Sequence, residues 1–295
     1  MNIFRDKIIN GGFSVTAELF PPKGNDASAL LKKADFLKPF VDAINVTDNQ
    51  RASMRLGSMA VSRLIKEMGV EPIMQMTCRD RNRIALQSDL LSASALGIEN
   101  VLILSGDHPL NGEYKDAKPV YDLDTVQLLT AAGMLIKGTD LAGKNLSGTP
   151  SFCLGAVVNP TANPVELQIM MLEKKINAGA VFFQTQPIFD VSQYEDFLGK
   201  VRTVTGAQKV RILPGVALLK SAKFVKFLLG LPGVNIPQAT VDRIERAPDQ
   251  LAEGIKICAE TISRLRGIAD GVHIMAIGME EHIPEILRQA GIKSK

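Results

Sequence analysis

Short β-prone runs recur along this chain at an almost fixed interval, and that interval limits the folds open to it. "SVTAEL" starts at Ser14, "AINVTD" at Ala43, "PIMQMT" at Pro72 and "VLILSGD" at Val101, each 29 residues after the one before. "FCLGAVV" follows at Phe152 after a longer interval of 51, which implies an insertion; "VFFQTQ" at Val181 and "VRILPGV" at Val210 resume the step of 29. "VHIMAI" at Val272 is the eighth run. Between them lie stretches such as "ASALLKKADFLKPF", "MAVSRLIKEM" and "PVELQIMMLEKKINAG", with apolar residues three and four apart and several ending in glycine, as amphipathic helices do. Strands and helices alternating at this period form parallel βαβ units, and eight such units close a (β/α)8 TIM barrel. The competing arrangement, an open doubly wound sheet, usually has fewer strands. The long interval from Gly215 to Val272 predicts extra helices between strands seven and eight. No linker or low-complexity segment divides residues 1–295, which read as a single domain.

Composition narrows the functional classes. The 34 basic and 31 acidic residues are dispersed, and there is no basic block interleaved with aromatics, so nucleic-acid binding has no support. No segment has the ~18 consecutive apolar residues of a membrane span, and "MNIFRDKIINGGF" lacks a signal-peptide core. Cys78, Cys153 and Cys258 are odd in number and far apart, matching neither a disulfide framework nor zinc spacing. A reducing cytoplasm is the expected compartment.

In a (β/α)8 barrel the active site lies at the C-terminal strand ends. Those ends carry Glu18; Thr47, Asp48, Asn49, Gln50 and Arg51; Gln75, Thr77 and Cys78, then "RDRNR"; Ser105, Gly106, Asp107 and His108; Asn159 and Asn163; and Gln184, Thr185 and Gln186. Amides, hydroxyls and carboxylates in this density suit a polar heteroaromatic ligand rather than a metal, since the histidines and carboxylates lack ligand spacing. Neither GxGxxG after a strand nor GxxxxGK[ST] occurs. Each residue also has a plainer reading. Asp107 suits a turn cap, Cys78 a small buried hydrophobe, "RDRNR" a solvated helix start and the Lys174–Lys175 pair a surface helix end; His108 suits a loop and His273 a satisfied core position. Glu18 resists such a reading. It sits in the apolar run "TAELF" before Pro21 and Pro22, and burying an unpaired carboxylate costs several kcal/mol.

Together, "VTAELFPPKG", "INVTDNQ", "QMTCRDRN", "LILSGDHP", "INAGAVFFQTQPIFD" and "ILPGV" resemble methylenetetrahydrofolate reductase, in order through nearly all of residues 10 to 290. That family is a flavin-containing (β/α)8 barrel. The resemblance implies reduction of 5,10-methylenetetrahydrofolate to 5-methyltetrahydrofolate in one-carbon metabolism and methionine biosynthesis, with hydride passing through flavin N5. It assigns Glu18 as the general acid that opens the imidazolidine ring to an iminium, and Asp107 as the aspartate beside flavin and pterin. Gln186 matches the glutamine that contacts folate. Thr47, Asp48, Gln50, Gln75, Ser105, Gly106, Asp107, Tyr121, Asn159, Lys174 and Lys175 fall where the family lines its flavin, the lysines suiting a phosphate.

The resemblance also implies FAD as cofactor with FMN as the alternative, NADH or NADPH as reductant, and a homo-oligomer. Better-known bacterial members carry histidine at Gln75, arginine at Ser105, tyrosine at Asn159 and arginine at Lys174. A family phenylalanine aligns with Ala222, and Gly278-Met279 replaces an Asn-Arg pair. "TDNQRAS" and "TCRDRN" are similar to a subclass of acetogens and homocysteine methyltransferase fusions, where partner subunits donate electrons. An accessory folate- or flavin-binding subunit without its own NAD(P)H site is therefore the alternative; a flavin-free pterin methyltransferase is a third.

Overall fold

A computed structural model describes residues 2–230 and 234–294. Helix α1 (Ile3–Asn10) precedes β1 (Ser14–Leu19), α2 (Ser28–Leu37), β2 (Ala43–Val46), α3 (Ser58–Glu67), β3 (Pro72–Thr77) and α4 (Arg83–Ala95). There follow β4 (Asn100–Leu104), α5 (Thr125–Ile136), β5 (Cys153–Val158), α6 (Val165–Asn177), β6 (Phe182–Pro187) and α7 (Val191–Val201). The chain continues through β7 (Arg211–Ala217), α8 (Ala222–Leu229), α9 (Gln238–Arg246), α10 (Gln250–Leu265), β8 (Gly271–Met275) and α11 (Ile283–Gln289). The strands close into a barrel in sequence order, with β1 paired to both β2 and β8 and every pairing parallel. The TIM barrel read from the spacing is the fold observed. Helices α8 and α9 are the additional pair expected between strands seven and eight, and α10 packs against β7 and β8 as the regular barrel helix. The longer step before β5 is filled by the loops flanking α5 rather than by a further helix.

Side chains alternate across each strand, and both faces are buried. Val15, Ala17 and Leu19 point outward into the layer shared with the helices, together with Ile44, Met74, Ile103, Ala156 and Ile274. The inward residues form tiers. The lowest is apolar: Ala43, Ile73, Cys153, Phe182 and Leu213 pack on Phe4 and Ile8 of α1, which plugs the bottom of the barrel, and Leu102 extends this cluster up to the cavity. Asn2 caps that helix through its side chain, and Gly11 ends it. The middle tier is polar. Gln184 Nε2 donates to Thr16 Oγ1 and to Asn45 Oδ1, both at 3.2 Å, and Thr16 Oγ1 lies 3.0 Å from His273 Nδ1. The site opens above this tier.

The lower tier is close-packed around Phe182, whose ring meets Phe4 edge-on at 5.2 Å. Gly155 on the neighbouring strand faces that ring, and a Cβ there would lie 2.2 Å from Phe182 Cζ. An alanine must therefore displace the Phe182 ring. Gly155→Ala is expected to lower stability by about 1–3 kcal/mol in urea unfolding. Phe182→Ala, which leaves a cavity against α1, should cost about 3–5 kcal/mol in the same measurement.

Candidate active site

A cavity of ≈ 390 Å³ occupies the C-terminal end of the barrel. Of the residues singled out from the sequence, Glu18, Asp48, Gln50, Gln75, Ser105, Gly106, Asp107 and Gln186 line it. Thr77, Gln184 and Thr185, also named at the strand ends, line it too; the structure adds Arg79 and His273, with Leu102, Leu104, Val157 and Met275 as apolar wall. Polar groups converging on an apolar wall are what a flat heteroaromatic ligand requires.

Glu18, one residue before the end of β1, points inward because its position has the same parity as Thr16. Its side chain is 16% exposed, and its Oε2 stands 3.8 Å from His273 Nε2. The Gln75 amide donates to the same oxygen at 3.2 Å. The carboxyl thus belongs to a chain of polar groups running down through His273 and Thr16 to Gln184, which explains why the fold accepts it in an apolar strand.

Asp107 follows β4 beyond Gly106. Gly106 has φ of +83°, and a Cβ there would meet Thr77 Cβ at 3.0 Å, so the turn that presents Asp107 requires glycine. The Asp107 carboxylate accepts the Arg51 backbone N–H at 2.8 Å. Asp48 also faces the cavity but is engaged by the protein: its Oδ2 accepts from the Thr77 backbone N–H at 2.9 Å, the Thr77 hydroxyl at 3.0 Å and Arg81. Burial disfavours the Arg81 charge, yet Asp48 and Asp89 outweigh it and hold the guanidinium above its ordinary pKa.

The other assigned residues lie outside the cavity lining. Thr47 is buried and donates to Gln50 Oε1 at 2.8 Å, which orients that glutamine. Tyr121 stands at the rim, its hydroxyl donating to the Gly106 carbonyl at 3.1 Å, and burial raises its phenol pKa. Asn159 caps its own turn, accepting from Thr161. Lys174 is exposed on α6, whereas Lys175 is 8% exposed with its ammonium donating to the Val157 carbonyl at 2.7 Å. Cys78 is buried with its thiol pushed up to about 12, chiefly by desolvation, so it packs as a small hydrophobe and is no nucleophile.

Two residues carry more than their plain sequence reading. Arg79, within "RDRNR", is 2% exposed and reaches the cavity instead of starting a solvated helix. His273 lies beside Glu18. The available signal was parity: Ile73, Gln75, Thr77 and Arg79 are alternate positions of one strand and its extension, as are Gly271, His273 and Met275. Backbone strain gathers at the same end. The non-glycine residues with positive φ among those described are Asn49, Arg51, Ala52, Tyr121 and Ile277, all in loops after β2, β4 and β8.

The chain is similar to known proteins in sequence and in fold. A 27% identical "Probable methylenetetrahydrofolate reductase (NADPH)" of Caenorhabditis elegans aligns over 290 residues, 93% of this chain and 42% of that protein. The chain therefore spans less than half the length of that relative. A "5,10-methylenetetrahydrofolate reductase" of Pectobacterium carotovorum is 28% identical over 234 residues, 78% of this chain and 72% of its own. The fold matches a solved Clostridium thermocellum protein described as binding two copies of 5-methyl-5,6,7,8-tetrahydrofolic acid, with TM-score 0.69, 16% identity and 98% and 97% of the two chains covered. Among the described residues no helix is long and apolar enough to cross a membrane. Residues 3–291 match the family model for methylenetetrahydrofolate reductase, and the chain belongs to that family.

Proposed function

We propose that this chain reduces 5,10-methylenetetrahydrofolate to 5-methyltetrahydrofolate with a bound flavin, FAD or alternatively FMN, residues 1–295 acting as one catalytic unit in the cytoplasm. The observation that carries the reading is the convergence of Glu18, Asp107 and Gln186 on one cavity. Family membership and the names of the relatives support it. So does the structural relative described as binding a methylated tetrahydrofolate, the product type of this reaction.

The residues present fit a flavin. Leu102, Leu104, Val157 and Met275 offer an apolar wall for a flat ring, and Gln50, Gln75, Ser105 and Gly106 offer amides, a hydroxyl and backbone for its polar edge. Tyr121 closes the rim. Lys175 is a buried ammonium whose three donors meet one acceptor among the described residues, the Val157 carbonyl, which leaves capacity for a phosphate; Lys174 beside it adds charge from the surface. When bound, reduced flavin supplies the hydride.

The protein's own residues prepare the substrate. Glu18 donates a proton to the imidazolidine nitrogen whose bond to the methylene carbon breaks, opening the ring to an iminium cation. His273 stands 3.8 Å from that carboxyl, and the Gln75 amide holds the carboxyl with a hydrogen bond of 3.2 Å. The Asp107 carboxylate stabilises the cation electrostatically, and Gln186 orients the pterin by hydrogen bonding. Hydride addition to the methylene carbon then yields the methyl group. NADH, NADPH or a partner subunit renews the reductant. A homo-oligomer would draw on the exposed Leu167 and Met170 of α6.

Glu18→Gln removes the proton but keeps the shape. It should retain flavin and its reduction by dithionite while losing folate-driven reoxidation by about 10²–10⁴-fold in anaerobic stopped flow; unchanged reoxidation would sink the assignment. Lys175 gives a second test. Burial lowers its pKa, so the folded state holds the charge less readily than the unfolded chain. That penalty is present at neutral pH and fades as pH rises through the lowered folded value. Lys175→Met should therefore leave the melting temperature of flavin-free protein equal or higher near neutral pH. The same change should weaken flavin affinity about tenfold or more, roughly 1.4 kcal/mol, by fluorescence titration.

A further inference from the structure

One guanidinium ties together three successive loops at the mouth of the barrel. Arg79, just beyond β3, is almost fully buried. Its Nε and Nη2 grip the two oxygens of Asp80 at 2.6 and 2.7 Å. Nη2 also donates to the Asn49 carbonyl, after β2, at 3.1 Å, and Nη1 donates to the Asp107 carbonyl, after β4, at 3.1 Å. Its own carbonyl accepts from Val120 N–H at 2.7 Å, so the loop leading to α5 is held too.

Asp107 is consequently fixed at both ends. Arg79 holds its backbone carbonyl, while its carboxylate accepts the N–H of Arg51. Arg51 lies two residues beyond Asn49, in a segment where Asn49, Arg51 and Ala52 all have positive φ. Such backbone persists only where its surroundings over-determine it, and the Arg79 bond to the Asn49 carbonyl is one of those determinants. Asp80 balances the charge of Arg79 locally, so what the guanidinium contributes here is direction: a planar fork reaching four acceptor oxygens on three residues, which a lysine ammonium cannot reproduce.

We propose that Arg79 is a positioning residue for Asp107, holding the loops after β2 and β4 so that the Asp107 carboxylate faces the reacting carbon. This rests on the proposed reduction and assigns to it a residue outside the acid–aspartate–glutamine set. A group that acts only through Asp107 loses its effect when Asp107 is disabled, whereas a general structural staple does not.

The test is a double-mutant cycle on the holoenzyme, read as the rate at which methylenetetrahydrofolate reoxidises chemically reduced flavin. Arg79→Lys should keep flavin content and the reduced spectrum and slow reoxidation by about 10–100-fold, the scale of a misplaced reacting group. Combined with Asp107→Asn, it should slow the reaction no more than threefold beyond Asp107→Asn alone. Multiplicative losses, or Arg79→Lys within threefold of wild type, would overturn the assignment. Asp80→Asn loosens the same fork with a smaller perturbation; it should show the same non-multiplicative pattern, and it decides the question if Arg79→Lys does not fold. Wild-type protein that holds flavin but never reacts with the folate overturns the proposed reaction and this assignment together. Reactive wild type with multiplicative losses overturns the Arg79 role alone.

Discussion

A closed parallel barrel sends every second side chain of every strand into one shared interior, and that interior must satisfy whatever polar groups it receives. Here the requirement is met by stratification. Apolar residues packed on α1 fill the bottom, a hydrogen-bonded tier of Thr16, Asn45, Gln184 and His273 lies across the middle, and the cavity opens above. Leaving a buried polar group unpaired costs about 1–3 kcal/mol, so each member of the middle tier depends on its neighbours. Glu18 is acceptable because this tier and Gln75 lie beside it.

The rim works by different means. Loops after strands have little apolar surface to bury, and here they are held by charge-assisted hydrogen bonds and strained backbone instead. Arg79 with Asp80, and Arg81 with Asp48 from the loop after β2 and Asp89 from α4, form two adjoining ion-paired groups centred on the loop after β3. Burial alone would raise the Asp80 pKa, but the Arg79 hydrogen bonds and charge overcome it and hold the carboxyl below its ordinary value. Both partners of that pair therefore remain ionised across the neutral range. A mouth pinned in this way limits loop reorganisation, which favours preorganised electrostatics over induced closure.

Much of this was legible in the sequence because its causes are local. Hydrogen-bond geometry gives β-strands and helices characteristic lengths, so a repeat of 29 residues reveals βαβ units without any tertiary information. Parity within a strand separates inward Glu18 from outward Ala17 and Leu19, and the same parity carried through "PIMQMTCR" would have marked Arg79 as inward. Charge pattern alone misled there, because "RDRNR" looks solvated until Asp80, Asn49 and Asp107 are seen around Arg79. The Lys174–Lys175 pair divides for a similar reason: adjacent helix positions differ by about 100°, and only docking decides which one is buried.

The sequence by itself determined the number and order of the strands, the parallel topology and the placement of Glu18, Asp107 and Gln186 at strand ends. Each follows from periodicity over a few residues. Only the closed structure decided that His273 stands beside Glu18, that Phe4 and Ile8 plug the base, and that Arg79 grips Asp107. The first of these exists because closure brings β8 against β1 and fixes their register, pairing Thr16 with His273; the other two need the packing of α1 and of neighbouring loops on the finished barrel. Local pattern says which way a side chain points; the meeting of two such side chains requires the ring of hydrogen bonds to close.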